Sequence, residues 1–298
     1  MKNSMVLAVR GMVLVTALAM TACTAEEPNQ VSVDYVPPAK ANRVSVSYTP
    51  PENPEYQHIY TLLKEERHSL ERIQELLSPF RLPWTLEIVL AECAGEADAI
   101  YWDGTITICY EYIDELWDNM PADTTAAGIE PIDTVVGPFL DTILHEFAHA
   151  LFDYLAIPVL GREEAAADQV SAYMYLKLGK AEARRLIMGA VYAYMREVED
   201  TDPPSMAEYA DEHSTSEQRR FNLLCMAYGA DPELFEDVVA WGGLPQERID
   251  ICEEEFELIA FAIDTLIGPH VDPDLAEKVF DRSWLPAKTS RMLRRQRN

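Results

Sequence analysis

The segment TILHEFAHAL, residues 142–151, contains two histidines and a glutamate whose spacing suits metal-dependent hydrolysis. His145 and His149 are four residues apart, so on an α-helix they share one face and can bind one metal ion between them. Glu146 points roughly a quarter-turn away from them, which suits a base better than a ligand. Zinc would lower the pKa of a bound water from about 15.7 towards 7, and a neighbouring carboxylate such as Glu146 can take the proton.

The alternative interpretation of this segment is a helix whose polar face is simply solvated. Its polar stripe consists of Thr142, His145, Glu146, His149 and Asp153. The opposite stripe is apolar at i, i+3 and i+4 spacing. Uncharged residues at Phe147, Ala148 and Ala150 favour a buried helix, which a metal site requires.

A catalytic zinc ion needs a third protein ligand, and the next polar segment, GREEAAADQ at residues 161–169, offers three acids. Glu164 and Asp168 are again four residues apart. We therefore expect Glu164 to be the ligand and Asp168 to accept a hydrogen bond from a ligand histidine, which would fix its tautomer. Glu163 has Ala167 four residues later, and we interpret it as a negative charge that suits a helix N-terminus.

The elements that must position these residues indicate an α+β domain. Apolar spacing predicts a helix that begins near Ile59 and stops at Pro79, and alternation predicts strands at residues 84–93 and 105–112. The second strand follows the turn signal Asp103-Gly104. From Val135 onward the sequence is helical, so we expect a small β-sheet followed by a mostly helical part. The strand at residues 105–110 is the expected edge for an extended substrate.

Composition narrows the class of protein. The chain has 298 residues, 48% of them apolar, which is enough for a sizeable core. It has 51 acidic against 24 Lys and Arg residues, a net charge of −27, which argues against binding nucleic acid or anionic lipid directly. Basic residues concentrate only at residues 282–297, which we interpret as a solvated tail or one that folds back onto the acidic body.

The N-terminal residues indicate export. Lys2 and Arg10 precede an apolar core at residues 11–20, which predicts a signal peptide over residues 1–22. The ending MTAC resembles a bacterial lipobox, which predicts a lipid on Cys23. The alternative is a plain secretory signal. VSVDYVPP at residues 31–38 recurs as VSVSYTPP at 44–51, a tandem repeat of period 13 that predicts a Pro-rich tether over 23–53. One domain, with the basic tail, would span residues 54–298.

If the chain is exported, the four cysteines other than Cys23 are expected to form disulfides. An even number of cysteines in an oxidising compartment favours two such bonds. Three pairings are open. Proximity in sequence suggests Cys93–Cys109 and Cys225–Cys252.

Together the motifs resemble known families. His-Glu-x-x-His followed by Glu-x-x-x-Asp on a second helix resembles the gluzincin arrangement of thermolysin-like metallopeptidases, with a shorter spacing between the two motifs. ICYE, HEFAHALFD, PVLGREEAAADQ, HSTSEQR and LCMAYG resemble segments of a bacterial family of uncharacterised metallopeptidases, many of them lipoproteins. The resemblance implies a zincin-like fold and zinc-dependent hydrolysis. It implies no particular substrate.

By the same resemblance, a histidine from a later helix would stabilise the oxyanion, and His213 in DEHSTSEQR is the candidate. Alternatively, Ser214 caps the following helix and His213 is only its neighbour. Tyr209 and Arg219 are weaker candidates for the same role. His58, His68 and His270 are expected to be surface residues.

The sequence thus predicts a lipid-anchored zinc metallopeptidase of the cell envelope, on its periplasmic or extracellular face. Its partners would be a peptide or protein substrate and, through the N-terminal lipid, a membrane; nucleic acid is not expected. The alternative is a non-catalytic envelope protein with a structural zinc site that binds a partner. Glu146 favours the enzyme, because a structural site does not need a base beside the metal. A hydrolase of non-peptide substrates is a third hypothesis.

Overall fold

The computed structural model describes residues 43–200 and 204–285, apart from the side chains of residues 199 and 200. The predicted signal peptide, the lipidation site Cys23, the first copy of the repeat and the last thirteen residues of the basic tail lie outside the described residues. These parts of the prediction stay predictions.

The described residues form four strands and twelve helices. The strands are β1 Val44–Tyr48, β2 Leu86–Ala91, β3 Ala99–Trp102 and β4 Thr105–Cys109. The helices are α1 Gln57–Tyr60, α2 Ser69–Leu76, α3 Tyr110–Asp118, α4 Asp133–Leu155, α5 Glu163–Leu176, α6 Lys180–Asp200, α7 Met206–Ala210, α8 Ser216–Ala230, α9 Asp237–Ala240, α10 Gln246–Ile249, α11 Cys252–Leu266 and α12 Pro273–Phe280. A π-helical segment, Thr61–Glu66, follows α1, and single 3-10 turns lie at Pro54–Tyr56 and Gly268–His270. The predicted α+β class, a small sheet followed by a helical majority, is confirmed.

The sheet has the strand order β1-β2-β4-β3. β1, β2 and β4 are parallel, and β3 runs antiparallel to β4. In β2, Leu86, Ile88 and Leu90 are fully buried whereas Glu87 between them is exposed, so one face of the sheet packs on the helices. Both predicted strands are present, but the second is shorter than expected because α3 begins at Tyr110.

Two predictions about the sheet are wrong. The tether does not extend to residue 53: the second copy of the repeat contains β1, which pairs with β2 in parallel and buries Val44. Its Val-Ser alternation is typical of a strand. The partner strand, β2, lies about forty residues later in the chain, so a local sequence pattern could not identify the pairing. β4 is not an edge either, because it lies between β2 and β3; the outer strands are β1 and β3.

The long helix α4 packs against α6 with the two backbones in direct contact. A Cβ atom at Gly137 would lie 2.6 Å from the carbonyl oxygen of Leu186, and one at Gly189 would lie 1.9 Å from that of Asp133. Only glycine fits at such a crossing. Asp133 at the start of α4 is also bound by Arg185 of α6, which fixes the relative position of the two helices.

The cysteines pair as their sequence proximity suggested. Cys93 and Cys109 are joined with their Cα atoms 5.4 Å apart, and Cys225 of α8 is joined to Cys252 of α11 with a Cα separation of 5.1 Å. Because Cys93 and Cys109 are bonded to each other, their proximity to Glu111 does not form a metal site. Across residues 43–200 and 204–285, none of the helices is long and apolar enough to span a membrane.

Candidate metal centre

The polar stripe of α4 is buried at its centre, whereas Asp153 at its C-terminal end is exposed. His145 is 4% exposed and Glu146 is 9% exposed, and the apolar side of the helix is fully enclosed at Ile143 and Phe147. The interpretation of this segment as a solvated surface helix is therefore wrong. Buried histidine and glutamate side chains need partners; α5 supplies those of His145, and β3 supplies that of Glu146.

Three ligand atoms converge between α4 and α5. His145 Nε2 lies 3.2 Å from His149 Nε2 and 3.0 Å from Glu164 Oε2, and His149 Nε2 lies 3.3 Å from the same oxygen. A tetrahedral zinc ion with bonds of about 2.0–2.1 Å holds its ligand atoms about 3.3 Å apart. The spacing of the three atoms therefore fits one small tetrahedral ion, and the predicted residues are the ones brought together.

The hydrogen bonds around His145 support a cation at this point. Its Nδ1 lies 2.9 Å from Asp168 Oδ1, and it must be the donor because a carboxylate only accepts. In the neutral imidazole, Nε2 then has a lone pair that faces the lone pairs of Glu164 Oε2. Two acceptors at 3.0 Å need a proton or a metal ion between them. Asp168 thus makes the contact predicted for it.

The pKa values of these groups follow from the same contacts. Burial lowers the pKa of His145, but the hydrogen bonds to Asp168 and Glu164 outweigh burial and raise it to about 9. Hydrogen bonds from His145, His149 and His213 hold the pKa of Glu164 well below its usual value. The carboxylate of Glu164 is therefore ionised, as a metal ligand must be.

Glu163 has a contact that the sequence reading missed. His149 Nδ1 lies 2.8 Å from Glu163 Oε1, so Glu163 orients His149 as Asp168 orients His145. Its side chain is 56% exposed, against 20% for Asp168. Interpreting Glu163 as a charge that only suits the helix N-terminus was incomplete. No local signal identifies this contact, because the angle between α4 and α5 decides which side chain Glu163 meets.

His213 also reaches the centre, from the loop between α7 and α8. Its Nε2 lies 2.9 Å from Glu164 Oε2, and its Nδ1 lies 3.3 Å from Asp211 Oδ1, which also accepts from the His213 backbone N–H. Thr215, rather than Ser214, caps α8. His213 is 48% exposed and faces the cleft, so it remains available to a substrate.

Glu146 lines the cleft above the cluster of His145, His149 and Glu164, and it is hydrogen-bonded to the sheet. Its Oε2 accepts a hydrogen bond of 2.6 Å from the backbone N–H of Tyr101 in β3. Burial raises the pKa of Glu146 above its usual value. A carboxylate with a raised pKa is a stronger base, and this one lies between the ligand cluster and an outer strand.

Of the two weaker candidates for binding the oxyanion, Arg219 lines the cleft, but its guanidinium is already bound. Arg219 directs its guanidinium to Asp168, with Nη2 2.6 Å from Oδ1 and Nε 3.0 Å from Oδ2. Tyr209 is 54% exposed and does not line the cleft. His58, His68 and His270 do not line it either.

The cleft over the ligand cluster has a volume of about 870 Å³. One wall is β3 and the residues before it, the floor is α4, and the other wall comes from α6 and the loop that contains His213. Acidic side chains are prominent in the lining, at Asp98, Glu115, Glu197 and Glu212. The cleft is large enough for several residues of an extended chain.

Comparison with known proteins places the chain in a family. No significant match is found among curated proteins or among solved structures. Residues 48–267 match the model of the family described as "Putative metallopeptidase". Because the match covers more than half of the 298 residues, the chain belongs to this metallopeptidase family.

Proposed function

We propose that this protein is a zinc-dependent metallopeptidase with a zincin-like fold. Its metal ligands are His145, His149 and Glu164, and its base is Glu146. The observation that carries the proposal is the convergence of three ligand atoms within 3.3 Å of one another, beside a carboxylate that is not part of the cluster. Two imidazoles and one carboxylate form a typical ligand set for catalytic zinc, which keeps its fourth position open.

Zinc held at this point would supply an activated water molecule and polarise the carbonyl oxygen of the peptide. Glu146 takes the proton released when the water attacks and passes it to the leaving amine. Its burial suits both steps, because a raised pKa brings the carboxyl closer to the working pH. The Tyr101 N–H holds one Glu146 oxygen in place, and the other oxygen is left for the proton.

His213 is the proposed stabiliser of the negative charge that develops on the carbonyl oxygen. Asp211 accepts from its Nδ1, which directs Nε2 towards the ligand cluster. A donor aimed at a developing oxyanion is typically worth about 2.7–4 kcal/mol of transition-state stabilisation.

The substrate that fits the cleft best is an extended peptide paired with β3. The Asp98 carbonyl accepts from Cys109 N–H of β4, so by alternation the backbone groups of Ala99 and Tyr101 face outward. Their N–H groups already donate to Asp98 Oδ1 and Glu146 Oε2, so a substrate strand would pair with the two carbonyl groups. Outer strands usually carry charged residues or proline, which prevent pairing with the strand of another chain. β3 carries Ile100 and Trp102 instead, which are 52% and 79% exposed. An edge of this kind accepts another strand, and β3 replaces the edge at residues 105–110 that the sequence suggested.

Zinc analysis of the purified protein, paired with a peptide-library cleavage screen, tests this function. We expect one zinc ion per chain and cleavage of extended peptides. The alternative, a non-catalytic binding protein with a structural zinc site, predicts bound zinc without cleavage. A chain that binds no divalent metal at all would contradict both.

We further propose that the chain is exported and anchored to the cell envelope by a lipid on Cys23, as the residues up to MTAC suggest. Cys23→Ala should then release the protein from membranes, and mass spectrometry should find acyl groups on the mature N-terminus. An unmodified N-terminus at another residue would contradict the anchor without affecting the proposed chemistry.

A further inference from the structure

Arg219 of α8 lines the cleft of the candidate metal centre and binds Asp168, without belonging to the ligand set. Its side chain is 22% exposed. Its guanidinium donates from Nη2 to Asp168 Oδ1 and from Nε to Oδ2, at 2.6 and 3.0 Å. Asp168 Oδ1 is also the atom that accepts from His145 Nδ1. A single carboxylate oxygen therefore connects the guanidinium to a metal ligand.

The guanidinium is itself held in place by buried groups from other helices. It lies 4.9 Å from the centroid of the Tyr194 ring. The Tyr194 hydroxyl donates to Asp141 Oδ2 at 2.8 Å, and Asp141 Oδ1 accepts from Ser171 Oγ at 2.8 Å. Tyr194, Asp141 and Ser171 are all less than a tenth exposed. The chain of contacts links α4, α5, α6 and α8, so Arg219 has little freedom to turn.

We propose that Arg219 is a positioning residue of the metal centre. By forking across both oxygens of Asp168, it fixes the plane of that carboxylate, so that His145 Nδ1 donates to it and His145 Nε2 keeps its lone pair directed at the ion. This inference rests on the proposed zinc site. The effect depends on the planar fork of arginine, because a lysine would supply the charge through a single point and would leave the carboxylate free to rotate.

Zinc affinity, measured by competition with a chromogenic chelator, tests this role without relying on activity. The variants are Arg219→Lys, Asp168→Asn and the double variant, each made in the full chain. We expect Asp168→Asn to weaken zinc binding about 10–100-fold and Arg219→Lys to reproduce a large part of that loss. In the Asp168→Asn background, Arg219→Lys should cause no further loss, because its effect passes through Asp168.

Arg185→Lys is the matched control. Arg185 binds Asp133 through the same two nitrogens, at 3.0 Å from Nε and 2.6 Å from Nη2, and Asp133 lies on the same helix as His145 but outside the cleft. This variant should lower the melting temperature and leave zinc affinity unchanged. If Arg219→Lys does not fold, Arg219→Gln, which keeps a donor without the fork, replaces it.

Each outcome is distinct. Wild type that binds no zinc would overturn the metal site itself. Wild type and Arg219→Lys that bind zinc equally, while Asp168→Asn binds it more weakly, would overturn only the role of Arg219. Equal losses from Arg219→Lys in both backgrounds would show that Arg219 does not act through Asp168, which would also contradict the proposal.

Discussion

Two sites on α4, one at its start and one near its middle, bury polar groups in opposite ways. Near its start, Asp133 is 4% exposed, and Arg185 donates to both of its oxygens, so donors and acceptors match. Further along, His145 is equally buried, but its Nε2 faces Glu164 Oε2 at 3.0 Å, so a proton or a metal ion must lie between the two atoms. Burial of charge alone does not indicate function. Acceptor atoms that converge and need a proton or a metal ion between them are a better indication. This feature is present at the candidate metal centre and absent from the Asp133–Arg185 pair.

The largest expected effect comes from removing an acceptor of the cluster. Glu164→Ala should lose most of the bound zinc, because two imidazoles alone hold the ion poorly and a carboxylate ligand is absent. Metal analysis after gel filtration measures this loss. A Glu164→Ala variant that retains one tightly bound zinc per chain would show that the ligand set is wrong.

The Asp133 site at the start of α4 should respond in stability rather than in metal binding. Asp133→Asn removes the negative charge of a buried ion pair with Arg185, which should lower the free energy of unfolding by about 3–5 kcal/mol. Zinc affinity should be unchanged. Denaturant unfolding and chelator competition on the same sample check both statements, and a loss of zinc affinity here would remove the distinction between the two sites.

A smaller effect is expected at Glu163, which contacts His149 from a more exposed position than Asp168 has beside His145. Glu163→Gln should weaken zinc binding by at most about 10-fold, at the low end of the range for residues that orient a ligand. Chelator competition of Glu163→Gln beside Asp168→Asn gives the ranking. A loss as large as that of Glu164→Ala would mean that Glu163 also binds the ion, which would contradict its role as a residue that only orients His149.

Much of the site could be predicted because its residues follow local rules. His145 and His149, like Glu164 and Asp168, are paired by the four-residue repeat of a helix, and helical spacing is visible in sequence. The pairings Cys93–Cys109 and Cys225–Cys252 follow from short separations. The contact of Asp168 with His145 required only that α5 return alongside α4.

The remaining features depend on contacts between distant segments. β1 joins the sheet through parallel pairing with β2, and its sequence alone also suited a Pro-rich spacer. β3 has only four residues, and its sole local signal is the turn at Asp103-Gly104. Arg219 meets Asp168 across 51 residues of chain, and Glu163 meets His149 only at the observed angle between α4 and α5. Periodicity contains no information about such angles.

The central claim is that the converging acceptors hold a catalytic ion with Glu146 as its base, and Glu146→Gln tests it most directly. The change keeps the shape of the side chain but removes the proton acceptor. The variant should retain one zinc ion per chain and a nearly normal melting temperature. It should lose peptide cleavage by several orders of magnitude, measured as kcat/KM beside wild type. Equal cleavage by wild type and Glu146→Gln, both loaded with zinc, would contradict the account.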